Sequence, residues 1–381
     1  MNRLVIIGNG FDLAHGLKTK YEQFIRWYLG DFFRKLFDTK EEISHHNDGL
    51  LNIKLLSKQP FTFHFQNSTF VCSAKAAFCD NNEIDSLEFL SKLENNIKNI
   101  RSSYVNKSFF LDRILKNIET KGWTDIESDY YALLKENADN IETCKSLNNQ
   151  MDFLRDKLAE YLKTLTFKNR IDSIGLIFKS GIKEEDVAIS SMKRFDKEVS
   201  SYERNIFRPC GEGIVDKTIV LDFNYTDTVL NYVPLSCENH IHGCLDNPNS
   251  MIFGYGDEMD KEFELLESRN ENELLKNSKS IKYIEADNYR NLLEFIESDI
   301  FQVFIMGHSC GNSDRTLLHT IFEHENCISI KPFYYKWGEK EGEDTYSEIT
   351  RNIYRNFKDK TLFRDRVVNK THCKPMPQVE K

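Results

Sequence analysis

The sequence predicts an α/β protein, a Rossmann-like parallel sheet interrupted by a large, mainly helical inserted domain. Three observations predict it. Short, wholly apolar runs end abruptly in glycine or polar loops, as in "LVIIGNG" and "FIMGHSCGNSD", the texture of strands buried on both faces. The stretch of roughly 180 residues that follows the first run is dominated by helical spacing. Beyond it, strand-like, loop and helical segments alternate, as crossovers of a parallel sheet require.

The elements follow in order. Residues 3–8 read as a buried strand and 9–16 as a glycine loop. From there Tyr21, Phe24, Ile25 and Tyr28 fall on one helical stripe. Residues 45–85 fit a loop and a short hairpin equally. Residues 86–118, 124–136 and 141–166 read as amphipathic helices, and in the last Leu147, Met151, Leu154, Leu158 and Tyr161 recur at three or four. "RPCGEG" ends the helical character. Residues 217–225, 239–243 and 250–256 are then strand-like, 288–297 helical, 299–314 a second buried strand entering a glycine loop, 315–323 helical, and "CISIKPFYY" a final strand. This predicts a discontinuous nucleotide-binding domain of residues 1–30 and 214–381, with residues 31–213 inserted. Right-handed crossovers tolerate such an insertion.

Composition excludes several functions. Sixty acidic against 51 basic residues, a net charge of −9, argue against a nucleic-acid-binding surface. No apolar run reaches the roughly 18 residues of a membrane span, and the N-terminal run meets Gly8, Asn9 and Asp12 too soon for a signal peptide. A cytoplasmic protein without a membrane partner is expected. Nine cysteines without a C-x-x-C pair suit free thiols in a reducing compartment and remove the common zinc ribbons.

Parallel sheets bind ligands beyond the carboxyl ends of their strands, and the segments 8–16, 224–227 and 307–314 have the right character there. Gly8 and Gly10 suit close approach of a pyrophosphate; a tight structural turn is an equal reading. Asp12 suits a ribose contact and a helix cap equally. Asp125 and Glu127 read by default as caps. His240, His242 and Cys244 share a strand face by the period of two, with Cys237 nearby, but no second ligand cluster has recognisable spacing, so no metal is expected.

Gly8, Gly10 and Gly16, spaced G-x-G, five residues, G, resemble the first loop of the sirtuin family, which surrounds NAD. Asn224 in "FNYTDT" resembles that family's strand-end Asn, His242-Gly243 its catalytic His-Gly, and "MGHSCGNSD" its late ribose loop. More narrowly, "LVIIGNGFDLAHGLKTKYEQF", "GWTDIESDY", "FNYTDT", "HIHG" and "IFGYG" together resemble the bacteriophage abortive-infection AbiH family from Leu4 to about Asp314. The resemblance implies a prokaryotic antiphage effector that binds NAD or NADP and hydrolyses the nicotinamide glycosidic bond. The alternative it allows is a non-catalytic nucleotide-binding sensor or interaction protein. It implies catalytic roles for Asn224 and His242, and cofactor contacts from Gly8, Asn9, Gly10, Phe11, Asp12, Gly16, Asp227, Gly307 and Ser309, with Asp314 as a cap. A phage-derived trigger, a partner subunit and a homo-oligomer are the partners it suggests. The chain departs from the sirtuin pattern twice. Thr226 stands where an Asp is usual, with Asp227 one residue further, and the zinc-binding cysteine pairs are missing, which disfavours protein deacylation. The residue types suit the chemistry: the Asn224 amide can orient water or nicotinamide, and a His such as His242, with an ordinary pKa of about 6.5, can accept a proton.

Overall fold

The computed structural model describes residues 1–38, 42–56, 60–65, 68–79, 85–97, 100, 103–122, 125–167, 169–188, 190–191, 212–338, 340 and 342–379. For 63–65, 68–70 and 212–213 the description is of the backbone. The chain forms two compact units, Met1–Thr19 with Leu162–Lys381, and Lys20–Tyr161.

The first unit is built on five parallel strands: β1 (Asn2–Ile7), β2 (Thr218–Asp222), β3 (Glu238–His240), β4 (Phe301–Met306) and β5 (Cys327–Phe333). Their spatial order is β3-β2-β1-β4-β5. The order reverses between β1 and β4, the kind of switch point where open α/β sheets bind ligands. Val5 pairs with Phe304 on one side and Val220 on the other, and every residue of β1 and β4 is buried. That is why these strands read as unbroken apolar runs.

The period of two divides the strand residues between two cores. Leu4, Ile6, Leu221, Val303 and Ile305 pack in the same cluster as residues of helices Asn288–Ser298, Arg315–Phe322 and Tyr346–Arg355. Val5, Ile7, Val220, Phe304 and Met306 pack with α1 (Asn9–Ala14) and α2 (Asp172–Lys179). Ile174 and Phe178 of α2 are buried in that second core, so this segment groups with the sheet, ahead of the boundary expected at residue 214.

Several local expectations are corrected. Residues 9–14 are a helix that starts directly after Gly8, not a loop. The strand expected over 239–243 stops at His240, because Gly243 turns the chain at φ +79°, where a Cβ would lie 2.2 Å from the Ser250 carbonyl oxygen. Residues 250–256 form no strand; Tyr255 makes one isolated bridge to Ser278.

The second unit mixes helix with antiparallel sheet. Ile43–Asn47, Leu51–Leu56 and Tyr104–Lys107 form three strands, and Pro60–Phe65 pairs with Ser68–Ser73 as a hairpin. Phe33, on the helix Tyr21–Phe37, meets Phe89 edge-on at 4.8 Å and Phe78 at 5.2 Å. Asp125 caps the helix Ile126–Glu136 by accepting from the Ser128 N–H. Trp123 and residues 208–211 of the expected break lie outside the described residues.

Candidate functional site

The carboxyl ends of β1, β2 and β4 are tied together by short polar contacts. The Gly10 N–H donates to the Gly307 carbonyl at 2.8 Å. Asn224 donates from Nδ2 to the Gly8 carbonyl at 3.1 Å, and its own N–H donates to Asp222 Oδ1 at 2.7 Å. Thr226 donates to Asp12 Oδ2 at 2.6 Å. Residues some 200 positions apart in sequence, Gly8 and Asn224, are therefore direct partners.

Close packing leaves Gly8, Gly10 and Gly307 no room for a Cβ. A Cβ on Gly10 would lie 2.7 Å from the Gly307 oxygen, and one on Gly8 would lie 2.8 Å from His308 Cδ2. Gly307, at φ +78°, would bring a Cβ within 2.1 Å of the Phe11 nitrogen. Gly16, at φ +80°, follows the end of α1, its N–H donating to the Leu13 carbonyl at 3.0 Å. Phe11 is fully buried in the core with Val5 and Ile7. Asn9 is exposed and accepts from the Thr19 hydroxyl. Ser309 is exposed, and its carbonyl accepts from Asn352 Nδ2 at 2.8 Å.

The histidines part company where β3 ends. His242 joins a buried cluster: Nε2 lies 3.1 Å from the Tyr283 hydroxyl and 3.3 Å from Asp314 Oδ1. Asp314 also receives the Lys279 ammonium at 2.8 Å and faces His308 Nε2 at 3.5 Å. The Cys310 N–H donates to His308 Nδ1 at 3.0 Å, so the His308 proton sits on the nitrogen facing Asp314. Burial, with the Lys279 ammonium nearby, lowers the pKa of His242 to about 4. Burial opposes the charge of Asp314, yet Lys279 and the two imidazoles hold its carboxyl well below the usual range. The side chain of Asp314 caps no helix; it is the acceptor at the centre of this cluster. Lys279 and Tyr283 carried no sequence signal, and His308 was passed over within the loop 307–314; tertiary structure joins them to the cluster around His242 and Asp314.

His240 faces a different set. Its Nδ1 lies 3.1 Å from the Asn224 carbonyl, and its Nε2 lies 3.2 Å from Glu238 Oε1 and 3.3 Å from Asp227 Oδ1. Burial works against its charge, but Glu238 and Asp222 carry its pKa up to about 10. Burial drives Asp222 well above the carboxylate range and Asp12 up to about 6. The expected alignment of His240, His242 and Cys244 does not form, because the strand that would align them has ended. Sequence reasoning missed Asp222 and Glu238. Their signal was an acid closing the apolar run "TIVLD" and another two residues before a histidine, hence on its strand face.

A sequence model for "Bacteriophage abortive infection AbiH" matches residues 4–336. No match was found among curated proteins or among solved structures. Among the described residues, no helix is long and apolar enough to cross a membrane.

Proposed function

The chain belongs to the bacteriophage abortive infection AbiH family, and from that premise we propose that it defends cells by binding NAD or NADP and hydrolysing the nicotinamide glycosidic bond. Family membership carries the phage-defence part. The observation that supports a nucleotide site is the joining of the Gly8 turn, Asn224 and the Gly307 turn at the switch point of a parallel sheet.

Hydrolysis adds water across the bond, releasing nicotinamide, ADP-ribose and a proton through a sugar-cation transition state. The protein has to hold the ribose, orient the water and exclude bulk solvent. His242 is neutral at physiological pH, and with Asp314 facing Nε2 the proton belongs there, leaving Nδ1 to accept one. Asn224, beyond β2, and Asp12, in α1 beyond β1, are among the polar groups near these strand ends.

One observation favours a second reading, a non-catalytic nucleotide sensor. The Asp227 carboxylate faces His240 rather than the first loop, so the sirtuin-like acid is displaced. Two measurements decide. Purified protein incubated with NAD should release nicotinamide, and His242→Ala should lower turnover about a hundredfold or more while NAD affinity changes little. Cells infected with a sensitive phage should lose NAD. Protection that persists in His242→Ala, with NAD undepleted in the wild type, would establish the sensor instead.

A further inference from the structure

We propose that Asp222, Glu238 and His240 form a divalent-cation site at the β2–β3 end of the sheet, suited to a transition ion such as Mn2+ or Zn2+. The register builds it. His240 pairs with Asp222 across the two parallel strands, and Glu238 precedes His240 by two residues, so all three side chains belong to one face. One ligand atom from each lies within 4.8 Å of the others. An ion with bonds near 2.1 Å holds its ligands roughly 3–4 Å apart, so small side-chain rotations close the site.

The buried oxygens point to a missing partner. Asp222 is 0% exposed; its Oδ1 accepts from Asn224, whereas Oδ2 has no hydrogen bond. The Glu238 side chain is 1% exposed, and neither of its oxygens is hydrogen-bonded, despite the 3.2 Å approach of His240. Asp12, in α1 after the adjoining strand, adds a buried, unpaired Oδ1. Leaving such oxygens without a partner is costly. A protonated His240 is the plain alternative counter-charge. It brings one positive charge to Asp222, Glu238 and Asp227 together, and leaves Asp222 Oδ2 without a hydrogen bond.

The imidazole is also held as a ligand is held. The Asn224 carbonyl can only accept, so Nδ1 carries the proton and Nε2 is turned toward the acids. Metal-bound histidines commonly donate their other N–H to a backbone carbonyl in this way. Two carboxylates and an imidazole suit Mn2+ or Zn2+ better than the all-oxygen preference of Ca2+ or Mg2+. Three protein ligands leave positions open to water.

The test uses the full chain, stripped with EDTA and free of nucleotide, so its outcome is independent of NAD cleavage. Titration with MnCl2 followed by electron paramagnetic resonance should give one bound Mn2+ per chain, with Mg2+ and Ca2+ competing at least tenfold more weakly. Glu238→Gln and Asp222→Asn should each weaken Mn2+ binding at least tenfold while circular dichroism stays unchanged. Should either variant fail to fold, X-ray absorption of the Zn2+-loaded wild type decides, with one imidazole expected in a shell otherwise of oxygen. The assignment is overturned by an absence of stoichiometric Mn2+ and Zn2+ binding, by binding that survives in folded Glu238→Gln, or by a shell containing sulfur or lacking imidazole.

Discussion

His15 Nδ1 lies 2.7 Å from the Phe11 carbonyl, which can only accept, so that nitrogen carries the proton. Nε2, 2.7 Å from the Tyr232 hydroxyl, must then accept, and the same hydroxyl accepts from the Ile171 N–H at 2.7 Å. Tyr232→Phe strands a buried imidazole nitrogen and a main-chain donor, and should cost about 1–3 kcal/mol in urea unfolding. Burial lowers the His15 pKa, so as pH falls below the ordinary value near 6.5 the unfolded chain takes up the proton first. Stability attributable to this residue is therefore present above that pH and declines below it. Unfolding free energies measured from pH 8 to 5 should fall less steeply in His15→Gln than in the wild type. The Lys279–Asp314 pair poses the same question with full charges. Removing the ammonium leaves Asp314 to the Ser313 hydroxyl and the His242 and His308 imidazoles, and Lys279→Met should destabilise by about 3–5 kcal/mol. A stability change below about 1 kcal/mol would mean that these remaining partners suffice. None of these partnerships was legible in the sequence. His242 and Asp314 each carried a local motif reading, whereas their contact depends on turns more than 30 residues apart.

At the scale of the element, the first strand and helix show how one pattern supports two physical readings. An apolar run followed by Gly-x-Gly was legible as strand then turn, and β1 follows it. Whether the glycines serve a phosphate or a neighbouring backbone was not legible, because the neighbour, Gly307, lies 297 positions from Gly10. The contact explains both residues: their backbones meet at the end of β1 and β4, and neither leaves room for a Cβ. Gly10→Ala should therefore cost about 1–3 kcal/mol through overpacking. Gly307→Ala should cost more, since it adds left-handed strain at φ +78° to a 2.1 Å clash. Urea unfolding of both variants checks the order; a neutral Gly10→Ala would show that the two turns separate easily. It also follows that substitution at Gly10 perturbs folding and cannot isolate nucleotide binding, which is why His242 carries the functional test. The short edge strand β3 was read less well than the long buried ones. β1 and β4 are buried throughout and announce themselves, whereas β3 has three residues, "ENH", two of them acidic or basic.

For the whole molecule, alternating strands and helices made the parallel sheet legible, but the second unit's sheet was only half visible. Leu51, Ile53 and Leu55 alternate with less buried neighbours in the period of two, yet their partner strand "ISHHN" is polar and sits at the edge. Each unit nevertheless has its own core. In the first, Leu4, Ile6, Val303 and Ile305 are fully buried; in the second, Phe24, Ile25, Phe33 and Phe89 are. Compact units with separate cores need not unfold together, so a two-state description of the chain should fail. Calorimetry should resolve two transitions. Phe33→Ala, which opens a cavity among Phe37, Phe78 and Phe89, should lower one of them by about 3–5 kcal/mol. Lys279→Met should lower the other and leave the first nearly in place. If both substitutions instead shift one common transition by similar amounts, the units unfold as a single cooperative body.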